Sequence, residues 1–319
     1  HSFKWTVESI RMLADYVIDR LVGKGSYGCV YRVTLRSTQK AYAMKKVRLL
    51  TASAYERTNL VTELRILAAH RCQYIVRLKA AFLDERGAHL YLVTEYAAQG
   101  DLSVLIHRRM GAKTPFSTDA VWHYFLQLAL AVAYLHELHV IHRDLKPANV
   151  FIAADDTVKL GDFGISKITT QYRFLCQTQI GTPLYMAPEM LRREHYDAKA
   201  DMWALGCILF ELMALTPAFR ATDIAQLQRQ VGAGRVPLER VPPAYPTEMR
   251  ALLTPLLRIH PRQRVSVNEL LDNAHVHAQV VRRRLVRQRV PEVRTAFHAA
   301  VPMPRDAHRW RQVVQQFVS

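Results

Sequence analysis

Cysteine is scarce in this chain. The 319 residues include only four cysteines, which are Cys29, Cys72, Cys176 and Cys207. No two of them have C-x-x-C spacing, so neither a disulfide framework nor a cysteine-based zinc site is indicated. Unpaired thiols of this kind are typical of an intracellular protein.

Long apolar stretches are also missing. The longest runs from Met202 to Phe210 and contains one glycine, which is far short of the roughly 18 residues that a membrane-spanning helix needs. It therefore predicts a buried core helix, and no transmembrane segment is expected. Nothing resembles a signal peptide, so that a cytoplasmic location is the default expectation.

Acidic residues are few compared with basic ones. The chain has 44 Lys and Arg against 27 Asp and Glu, which gives a formal net charge of +17. Hydrophobic residues make up 50% of the sequence and charged residues 22%, a composition typical of a globular protein with a real core. The length suits one large domain or two modest lobes.

The most informative segment runs from His142 to Asn149 and reads His-Arg-Asp-Leu-Lys-Pro-Ala-Asn. Asp162-Phe163-Gly164 begins 13 positions after Asn149. Between them, two apolar triplets flank an Asp-Asp-Thr turn, which predicts a small β-hairpin over 150–160. Such a hairpin would bring Asp144, Asn149 and Asp162 into one cleft.

These residue types suit phosphoryl transfer, because that reaction depends on position and charge rather than on covalent bonding to the protein. Asp144 can accept the proton of a substrate hydroxyl, and Lys146 can neutralise charge on the moving phosphoryl group. Asn149 and Asp162 supply the hard oxygen ligands that Mg²⁺ prefers, with Mn²⁺ as an alternative metal. Asp-Phe-Gly alone is weak evidence, since an Asp-Gly turn beside a buried Phe explains it equally well.

A glycine-rich motif, Gly23-x-Gly25-x-x-Gly28-x-Val30, lies between two predicted strands near the start of the chain. Glycines let the backbone approach phosphates closely, and Val30 can lie on an adenine ring. The same spacing occurs in Rossmann units, where it opens a helix, but here residues 29–35 continue as a strand. The residues of this loop predicted to bind ATP are Val22, Gly23, Lys24, Gly25, Ser26, Tyr27, Gly28 and Val30.

The next predicted strand, Ala41–Lys45, places Ala43 and Lys45 on one face by its period of two. Lys45, rather than Lys46, is thus expected to reach the α- and β-phosphates. Further strands over 75–82 and 89–94 lead to a crossing segment with exposed backbone groups for adenine. The adenine-site predictions are Ala43, Thr94, Glu95 and Ala97.

Taken together, these motifs resemble those of a eukaryotic protein kinase over about residues 16–275. The resemblance implies an α+β, bilobal fold with a small, mostly antiparallel β lobe that has one key helix, and a larger, mostly α-helical lobe. It implies transfer of the γ-phosphoryl group of Mg-ATP to hydroxyls of protein substrates. The expected parts are an N-terminal extension (1–15), an N-lobe (16–96), a C-lobe (97–275) and a basic C-terminal tail (276–319).

The resemblance also assigns roles to residues that the motifs alone do not explain. Glu63, on a predicted helix over 55–69, would pair with Lys45, and Phe151 would form the floor of the adenine site. Thr182 would bond the catalytic Asp and Lys, which together with Lys-Pro-Ala-Asn favours a Ser/Thr kinase. Late in the domain, Arg264 would pair with Glu189, although Val265 stands where the family usually has proline.

A closer resemblance is to the NIMA-related kinases, and it rests on four segments: Asn149-Val150-Phe151-Ile152, Ile180-Gly181-Thr182-Pro183-Leu184-Tyr185-Met186, Trp203-Ala204-Leu205-Gly206-Cys207-Ile208-Leu209-Phe210-Glu211-Leu212, and Ala218-Phe219-Arg220-Ala221. It implies that Thr178 is an activating phosphorylation site, whose phosphate Arg143 would help to bind. Weaker candidates for this site are Ser166, Thr169, Thr170 and Tyr172. The resemblance also implies that Ile165 favours Thr over Ser as the phosphoacceptor. Association with the cytoskeleton is a further expectation for this chain.

The final stretch, from about residue 276, is rich in arginine. Nine arginines stand against Glu292 and Asp306, so that this stretch carries about +7 of the formal charge of +17. A solvated basic tail is the simplest interpretation. The functional alternative is docking on an acidic partner such as a cytoskeletal filament, a lipid surface or nucleic acid. No motif selects among these partners, and the oligomeric state cannot be predicted.

Two other functional classes are open. A kinase-like scaffold, or pseudokinase, usually lacks a metal ligand, the catalytic base or the phosphate-binding lysine. This chain has Lys45, Glu63, Asp144, Asn149 and Asp162, which disfavours that class. A nucleic-acid-binding protein acting through its tail would require salt-dependent binding that survives removal of the catalytic domain.

Overall fold

The computed structural model describes residues 13–25, 28–49, 64, 67–68, 70–84, 86, 88–162 and 183–288. The chain divides into two compact units between Ala98 and Gln99. The first unit carries a β-sheet, and the second carries most of the helices. The four-part division expected from the sequence stays a prediction.

The first unit is built on a five-stranded antiparallel sheet in the order β1-β2-β3-β5-β4. Its strands are β1 (Tyr16–Gly25), β2 (Gly28–Leu35), β3 (Ala41–Arg48), β4 (Leu78–Leu83) and β5 (His89–Glu95). Strand β2 continues from the last glycine of the glycine-rich motif, which confirms that the motif joins two strands and does not open a helix.

The two faces of this sheet differ in chemistry. Val30 lies opposite Lys45, and Ala43 lies opposite Thr94, so these four side chains share one face, as the period of two predicts. The other face carries the buried core of the unit, which consists of Tyr16, Val33, Leu35, Met44, Ala80, Phe82, Tyr91 and Val93.

Strand β4 begins three residues later than expected. The predicted strand started at Ile75, whereas β4 starts at Leu78. The backbone N–H of Ile75 donates to the Cys72 carbonyl in a turn, at 3.3 Å. The N–H of Arg77 donates to the Glu95 carboxylate at 2.9 Å, so these groups bond outside a regular ladder.

The predicted helix over 55–69 lies mostly outside the described residues. Leu64, Leu67 and Ala68 are helical. Leu64 and Leu67 are buried, and their spacing of three places them on one face of a helix.

The second unit is mainly helical. Its helices are α1 (Leu102–Gly111), α2 (Thr118–Glu137), α3 (Pro188–Leu191), α4 (Lys199–Ala214), α5 (Ile224–Gly232), α6 (Thr247–Ala251), α7 (Leu253–Leu256), α8 (Val267–Asp272) and α9 (Ala274–Arg282). A separate antiparallel hairpin consists of β6 (Val150–Ile152) and β7 (Val158–Leu160), which confirms the hairpin predicted between the two motifs.

Polar side chains begin several of these helices. Asp101 accepts a hydrogen bond from the N–H of Val104 at the start of α1, and Ser117 accepts one from Ala120 at the start of α2. Ser266 and Glu269 form a reciprocal capping box on α8. Such caps satisfy N–H groups that have no partner within the helix.

Helices α2 and α4 form the centre of the second unit. Every residue of α4 from Ala200 to Met213 is buried, which confirms the core helix predicted from the apolar run. At Gly206 a Cβ atom would lie 2.9 Å from the Cβ of Leu256, so glycine permits the close packing of α4 against α7. Trp203 stacks on Phe219 with ring centroids 5.4 Å apart.

The predicted class, α+β with a small antiparallel β lobe and a larger helical lobe, is confirmed. Within the described ranges, no helix combines the length and the apolar character needed to cross a membrane.

The start of the arginine-rich stretch belongs to the helical unit. Helix α9 continues through residue 276, where the composition changes. Beyond it, Arg283 donates to the Asp119 carboxylate at the start of α2. Arg287 donates to Glu137 at the end of α2, at 3.4 Å, and to Asn268 at 2.7 Å. This part of the stretch therefore contacts the chain itself.

Candidate active site

The segment from His142 to Asn149 is anchored on one buried carboxylate. Asp201, in the first turn of α4, accepts hydrogen bonds from the backbone N–H groups of His142 and Arg143, each at 2.9 Å. Its Oδ2 atom also lies 2.8 Å from Nε2 of His136. Burial opposes ionisation of Asp201, but the hydrogen bonds from His136 and His142 hold its pKa below the usual value.

The ring of His142 is fixed in one tautomer by its contacts. Nδ1 accepts a hydrogen bond from the backbone N–H of Asp144 at 3.3 Å, so the proton is on Nε2, which faces the Gly161 carbonyl at 3.1 Å. Burial lowers the pKa of His142, despite the nearby carboxylates of Asp201 and Asp144. A neutral ring therefore connects the segment to the end of β7.

Asp144 lies at the centre of a small polar cluster. Its Oδ2 atom accepts a hydrogen bond from Nδ2 of Asn149 at 2.8 Å and lies 3.0 Å from Nζ of Lys146. Asn149 also donates to the Asp144 carbonyl, at 2.7 Å. Both partners of Asn149 are acceptors, which settles that its amide nitrogen faces Asp144. The amide oxygen of Asn149 therefore faces away from Asp144.

The β6–β7 hairpin places the two predicted metal ligands at its open end. Asn149 immediately precedes β6, and the backbone N–H of Gly161 donates to the Asn149 carbonyl at 3.1 Å. Asp162 follows Gly161 directly and is exposed. An amide oxygen and a carboxylate are the ligand types that Mg²⁺ prefers, so these residues fit the metal that the sequence predicts.

Gly28 shows why the glycine-rich motif needs glycine. A Cβ atom at this position would lie 1.8 Å from the carbonyl oxygen of Lys46, so no other residue fits without moving the backbone. At Gly23, by contrast, a Cβ atom would meet nothing within 4 Å. Val22 and Lys24 are exposed beside it.

The predicted adenine segment is held at Glu95 by both its backbone and its side chain. The N–H of Glu95 donates to the Arg77 carbonyl at 3.1 Å, and the Glu95 carboxylate accepts a hydrogen bond from the N–H of Arg77 at 2.9 Å. Next along the chain, Tyr96 lies beneath the guanidinium of Arg32, 5.5 Å from the ring centroid, and accepts a hydrogen bond from Arg20 at 3.4 Å. Ala97 completes the segment at the end of the first unit.

The predicted site residues fall into three groups. The first unit carries Val22, Gly23, Lys24, Gly25, Gly28, Val30, Ala43, Lys45, Thr94, Glu95 and Ala97, and the second carries Asp144, Lys146, Asn149, Phe151 and Asp162. The residues that lie outside the described ranges are Ser26, Tyr27, Glu63, Ile165, Thr178 and Thr182.

A family model described as protein kinase domain matches residues 16–276. The chain belongs to the protein kinase family. The predicted bilobal kinase fold is thereby confirmed, and members of this family generally use ATP and Mg²⁺.

Several curated relatives of this kinase are named serine/threonine-protein kinases. This chain is 36% identical over 263 residues to Nek4 of Mus musculus, and the matched region covers 82% of this chain and 33% of Nek4. It is 34% identical over 282 residues to Nek2 of Homo sapiens, covering 86% and 63% respectively. For Nek6 of Oryza sativa the identity is 35% over 264 residues, covering 83% and 48%.

These relatives confirm the predicted family, a Ser/Thr protein kinase of the NIMA-related type. The chain spans about a third of the length of the mouse Nek4 and about half that of the rice Nek6.

The kinase also contains the ion pair expected between Arg264 and Glu189, whose nitrogen and oxygen atoms meet at 2.8 and 3.0 Å. Val265, which stands where the family usually has proline, makes a backbone contact of its own. The N–H of Val265 donates to the Pro255 carbonyl at 3.2 Å, a bond that proline could not form.

A second buried contact of the kinase involves Tyr185 and Glu211. The Tyr185 hydroxyl donates to Oε2 of Glu211 at 2.6 Å. Burial raises the pKa of the Glu211 carboxyl, and the Tyr185 hydrogen bond lowers it in part. Burial also raises the pKa of Tyr185, so the phenol remains a donor.

Sequence reasoning missed two residues that support the site, His136 and Gln127. Gln127 is buried and accepts a hydrogen bond from the N–H of Val158. His136 could have been found from the sequence. It lies in the last turn of an apolar helix just before the catalytic segment, and a buried histidine at such a position needs a hydrogen-bond partner.

Proposed function

We propose that this chain is an ATP-dependent protein kinase that transfers the γ-phosphoryl group to Ser or Thr hydroxyls, with Asp144 as the residue that receives the hydroxyl proton. The observation that carries this proposal is the cluster around Asp144. One carboxylate oxygen contacts both the Asn149 amide and the Lys146 ammonium, at 2.8 and 3.0 Å. Such contacts hold the carboxylate in one orientation before substrate binds.

Each member of the cluster has a distinct task. Asp144 orients the substrate hydroxyl and accepts its proton, and Lys146 lies close enough to neutralise charge on the transferred group. Asn149 and Asp162 would hold Mg²⁺, Asn149 through the amide oxygen that faces away from Asp144. When bound, the metal would neutralise phosphate charge during transfer.

The ATP site of the first unit is proposed on the sheet face shared by Val30, Ala43, Lys45 and Thr94. Lys45 would bind the α- and β-phosphates, with Glu63 as its partner. The glycine-rich loop from Val22 to Val30 would cover the phosphates, while Glu95 and Ala97 would contact adenine.

Regulation by phosphorylation of Thr178 is the second part of this proposal. Arg143 supports it, because its Nε atom is buried and has no hydrogen-bond partner within the described residues. A buried guanidinium edge of this kind favours an anion. Thr182 would support the base, and Ile165 would favour Thr as the acceptor.

The experiment that tests the function is phosphorylation of a peptide array by the purified chain with Mg-ATP. Transfer to Ser and Thr peptides, lost in Asp144→Asn, is the expected result. A chain that binds ATP without transferring phosphate would support the pseudokinase alternative instead. The cytoplasmic or cytoskeletal location and the partner of the basic tail stay predictions.

A further inference from the structure

The two edges of the β6–β7 hairpin have different neighbours. On the β6 edge, Ile152 exchanges backbone hydrogen bonds with Gly100 and Gln99, at 2.8 and 3.1 Å. On the β7 edge, the N–H of Val158 donates to the side-chain Oε1 of Gln127 on α2, at 3.0 Å. Val158 and Gln127 are both buried, so that this N–H depends on Gln127 for its partner.

The orientation of Gln127 is itself fixed. Its Nε2 atom donates to the backbone carbonyl of His123 at 3.2 Å. With its nitrogen held on that side, the amide oxygen of Gln127 faces β7. The glutamine therefore joins one turn of α2 to the edge of the hairpin.

The closed end of the hairpin is held by the same turn of α2. The Tyr124 hydroxyl donates to Oδ1 of Asp156 at 3.0 Å, and Nε2 of His123 lies 2.9 Å from the Asp156 carbonyl. Asp156 has a φ of 68°, a left-handed conformation that few residues other than glycine adopt. These contacts stabilise that turn, because they involve both its backbone and its side chain.

The open end of this hairpin carries Asn149 and Asp162. Each strand has only three residues, paired from Val150 opposite Leu160 to Ile152 opposite Val158. A shift or tilt at Asp156 would therefore move the open end as well. In metal sites, substitution of the groups that orient the ligands typically lowers metal affinity by about 10–100-fold.

We propose that Gln127 and Tyr124, with His123 between them, are positioning residues for the metal-binding pair Asn149 and Asp162. They act through the hairpin and do not touch the metal or the substrate. This inference rests on the proposed kinase function. It goes further, because it assigns the geometry of the metal site to one turn of helix α2.

The test compares Gln127→Met and Tyr124→Phe with matched controls. Gln228→Met removes a glutamine that donates to the Leu191 carbonyl at 2.8 Å, and Tyr245→Phe removes a tyrosine hydroxyl that donates to the Phe116 carbonyl at 2.7 Å. Each control loses a hydrogen bond between a side chain and the backbone, away from the hairpin. Tyr124→Phe removes only a hydroxyl, so that it tests the idea even if Gln127→Met folds poorly.

Two quantities are measured: the Mg²⁺ concentration for half-maximal peptide phosphorylation, and the affinity for ATP by calorimetry with and without Mg²⁺. For Gln127→Met and Tyr124→Phe we expect the half-maximal Mg²⁺ concentration to rise by up to about tenfold. We also expect weaker ATP binding with Mg²⁺, and unchanged binding without it. Both controls should keep the Mg²⁺ dependence of the original protein.

A fall in melting temperature with unchanged Mg²⁺ dependence in both α2 variants would overturn the inference and leave these residues with a structural role. The inference would also be overturned if Gln228→Met and Tyr245→Phe raised the half-maximal Mg²⁺ concentration as much as the two α2 variants do. If the original chain phosphorylates no peptide, the proposed function fails. Calorimetry would then still decide whether α2 influences Mg²⁺-dependent ATP binding.

Discussion

The guanidinium of Arg264 and the carboxylate of Glu189 meet in a two-pronged ion pair, with side chains 0% and 1% exposed. Arg264 also donates to the carbonyls of Arg258 and Ile259, at 3.0 and 3.2 Å, and to that of Lys199. Its guanidinium lies 5.2 Å from the Trp203 ring centroid. The pair thus ties α3 to the start of α4 and to the loop before α8.

Removing one partner of this pair should destabilise the kinase strongly. In Arg264→Met, the Glu189 carboxylate would remain buried without a countercharge. We expect a loss of about 3–5 kcal/mol in the free energy of unfolding, measured by urea denaturation of the purified chain.

The control for this prediction is Arg235→Ala. Arg235 pairs with Glu239 at 3.4 Å, but the two side chains are 79% and 60% exposed. Its removal should change stability by less than about 0.5 kcal/mol. Equal effects of the two substitutions would mean that burial does not set the strength of the Arg264 pair.

Two adjacent lysines should differ sharply in their effect on catalysis. Lys45 shares a sheet face with Val30, whereas Lys46 lies opposite Cys29 and Tyr91 on the other face. Lys45→Met should therefore abolish measurable transfer, since a phosphate contact is worth several kcal/mol in the transition state. Lys46→Met should retain most of the activity. Steady-state kinetics with one peptide decides this, and similar kcat values for the two variants would contradict the assignment.

Asp162→Ala should abolish transfer as well while leaving the fold intact. Asp162 is exposed, so truncation creates no cavity, and the loss would come from the metal site. The matched control is Asp272→Ala, which removes another exposed carboxylate at the end of α8, away from the hairpin. Near-normal kcat in Asp162→Ala, with an unchanged melting curve, would rule out its role as a metal ligand.

Much of the local structure around the site could be predicted from the sequence, because short-range patterns determine it. The β6–β7 hairpin follows from two apolar triplets and a turn, and the shared face of Ala43 and Lys45 follows from strand alternation. The predicted start of β4 was wrong. Just before the strand, the N–H of Arg77 bonds the side chain of Glu95, and the sequence does not reveal this contact between residues 18 positions apart.

Contacts between distant residues were less predictable. Nothing in the sequence around Gln127 indicates that its side chain accepts a hydrogen bond from the N–H of Val158 in β7, 31 positions later. The Arg264–Glu189 pair was found only through the family resemblance. Arg283 reaches Asp119 across 164 positions, whereas counting charges suggested a solvated tail. A sequence gives the number of charges but not the partner of each.

Glu211→Gln should stabilise the kinase at neutral pH. Burial raises the folded-state pKa of Glu211 above its unfolded value. Between these two pKa values the folded state therefore binds more protons than the unfolded state does. Stability therefore falls from about pH 4.3 upward through the raised pKa. Glutamine has no charge to bury and keeps a carbonyl oxygen for Tyr185.

Thermal melts at several pH values check this prediction. The melting temperature of Glu211→Gln should equal or exceed that of the original chain at pH 7, and the difference should shrink below about pH 4. A variant that is less stable at every pH would show that the ionised carboxylate is the better partner for Tyr185.

Thr178→Ala should lower kinase activity and remove its increase after autophosphorylation. A phosphate at this position would add charge that Arg143 can bind, and so order the loop. Activity before and after incubation with Mg-ATP is compared for Thr178→Ala and for Thr169→Ala, a neighbouring threonine that serves as the control. Unchanged activation in Thr178→Ala, or its loss only in Thr169→Ala, would assign the activating site elsewhere.

Ile165 should set the choice between Thr and Ser acceptors. In the kinases that this chain resembles, the residue after Asp-Phe-Gly packs near the acceptor, and β-branched residues there favour Thr. Ile is stiff at χ1 because its Cβ carries two heavy atoms. It should therefore accommodate the Thr methyl and direct the hydroxyl toward Asp144.

The effect of Ile165 on kcat/KM should be modest, because discrimination over one methyl group is worth about 1–3 kcal/mol at most. Peptides that differ only in Thr or Ser should be phosphorylated faster on Thr, and Ile165→Phe should shift the preference toward Ser with little change in the KM for ATP. Ile165→Val keeps the branched Cβ and should keep the Thr preference. If Ile165→Val shifts toward Ser as far as Ile165→Phe does, side-chain size matters and branching does not. Equal kcat/KM values for Thr and Ser peptides in the original chain would show that Ile165 does not determine the acceptor preference.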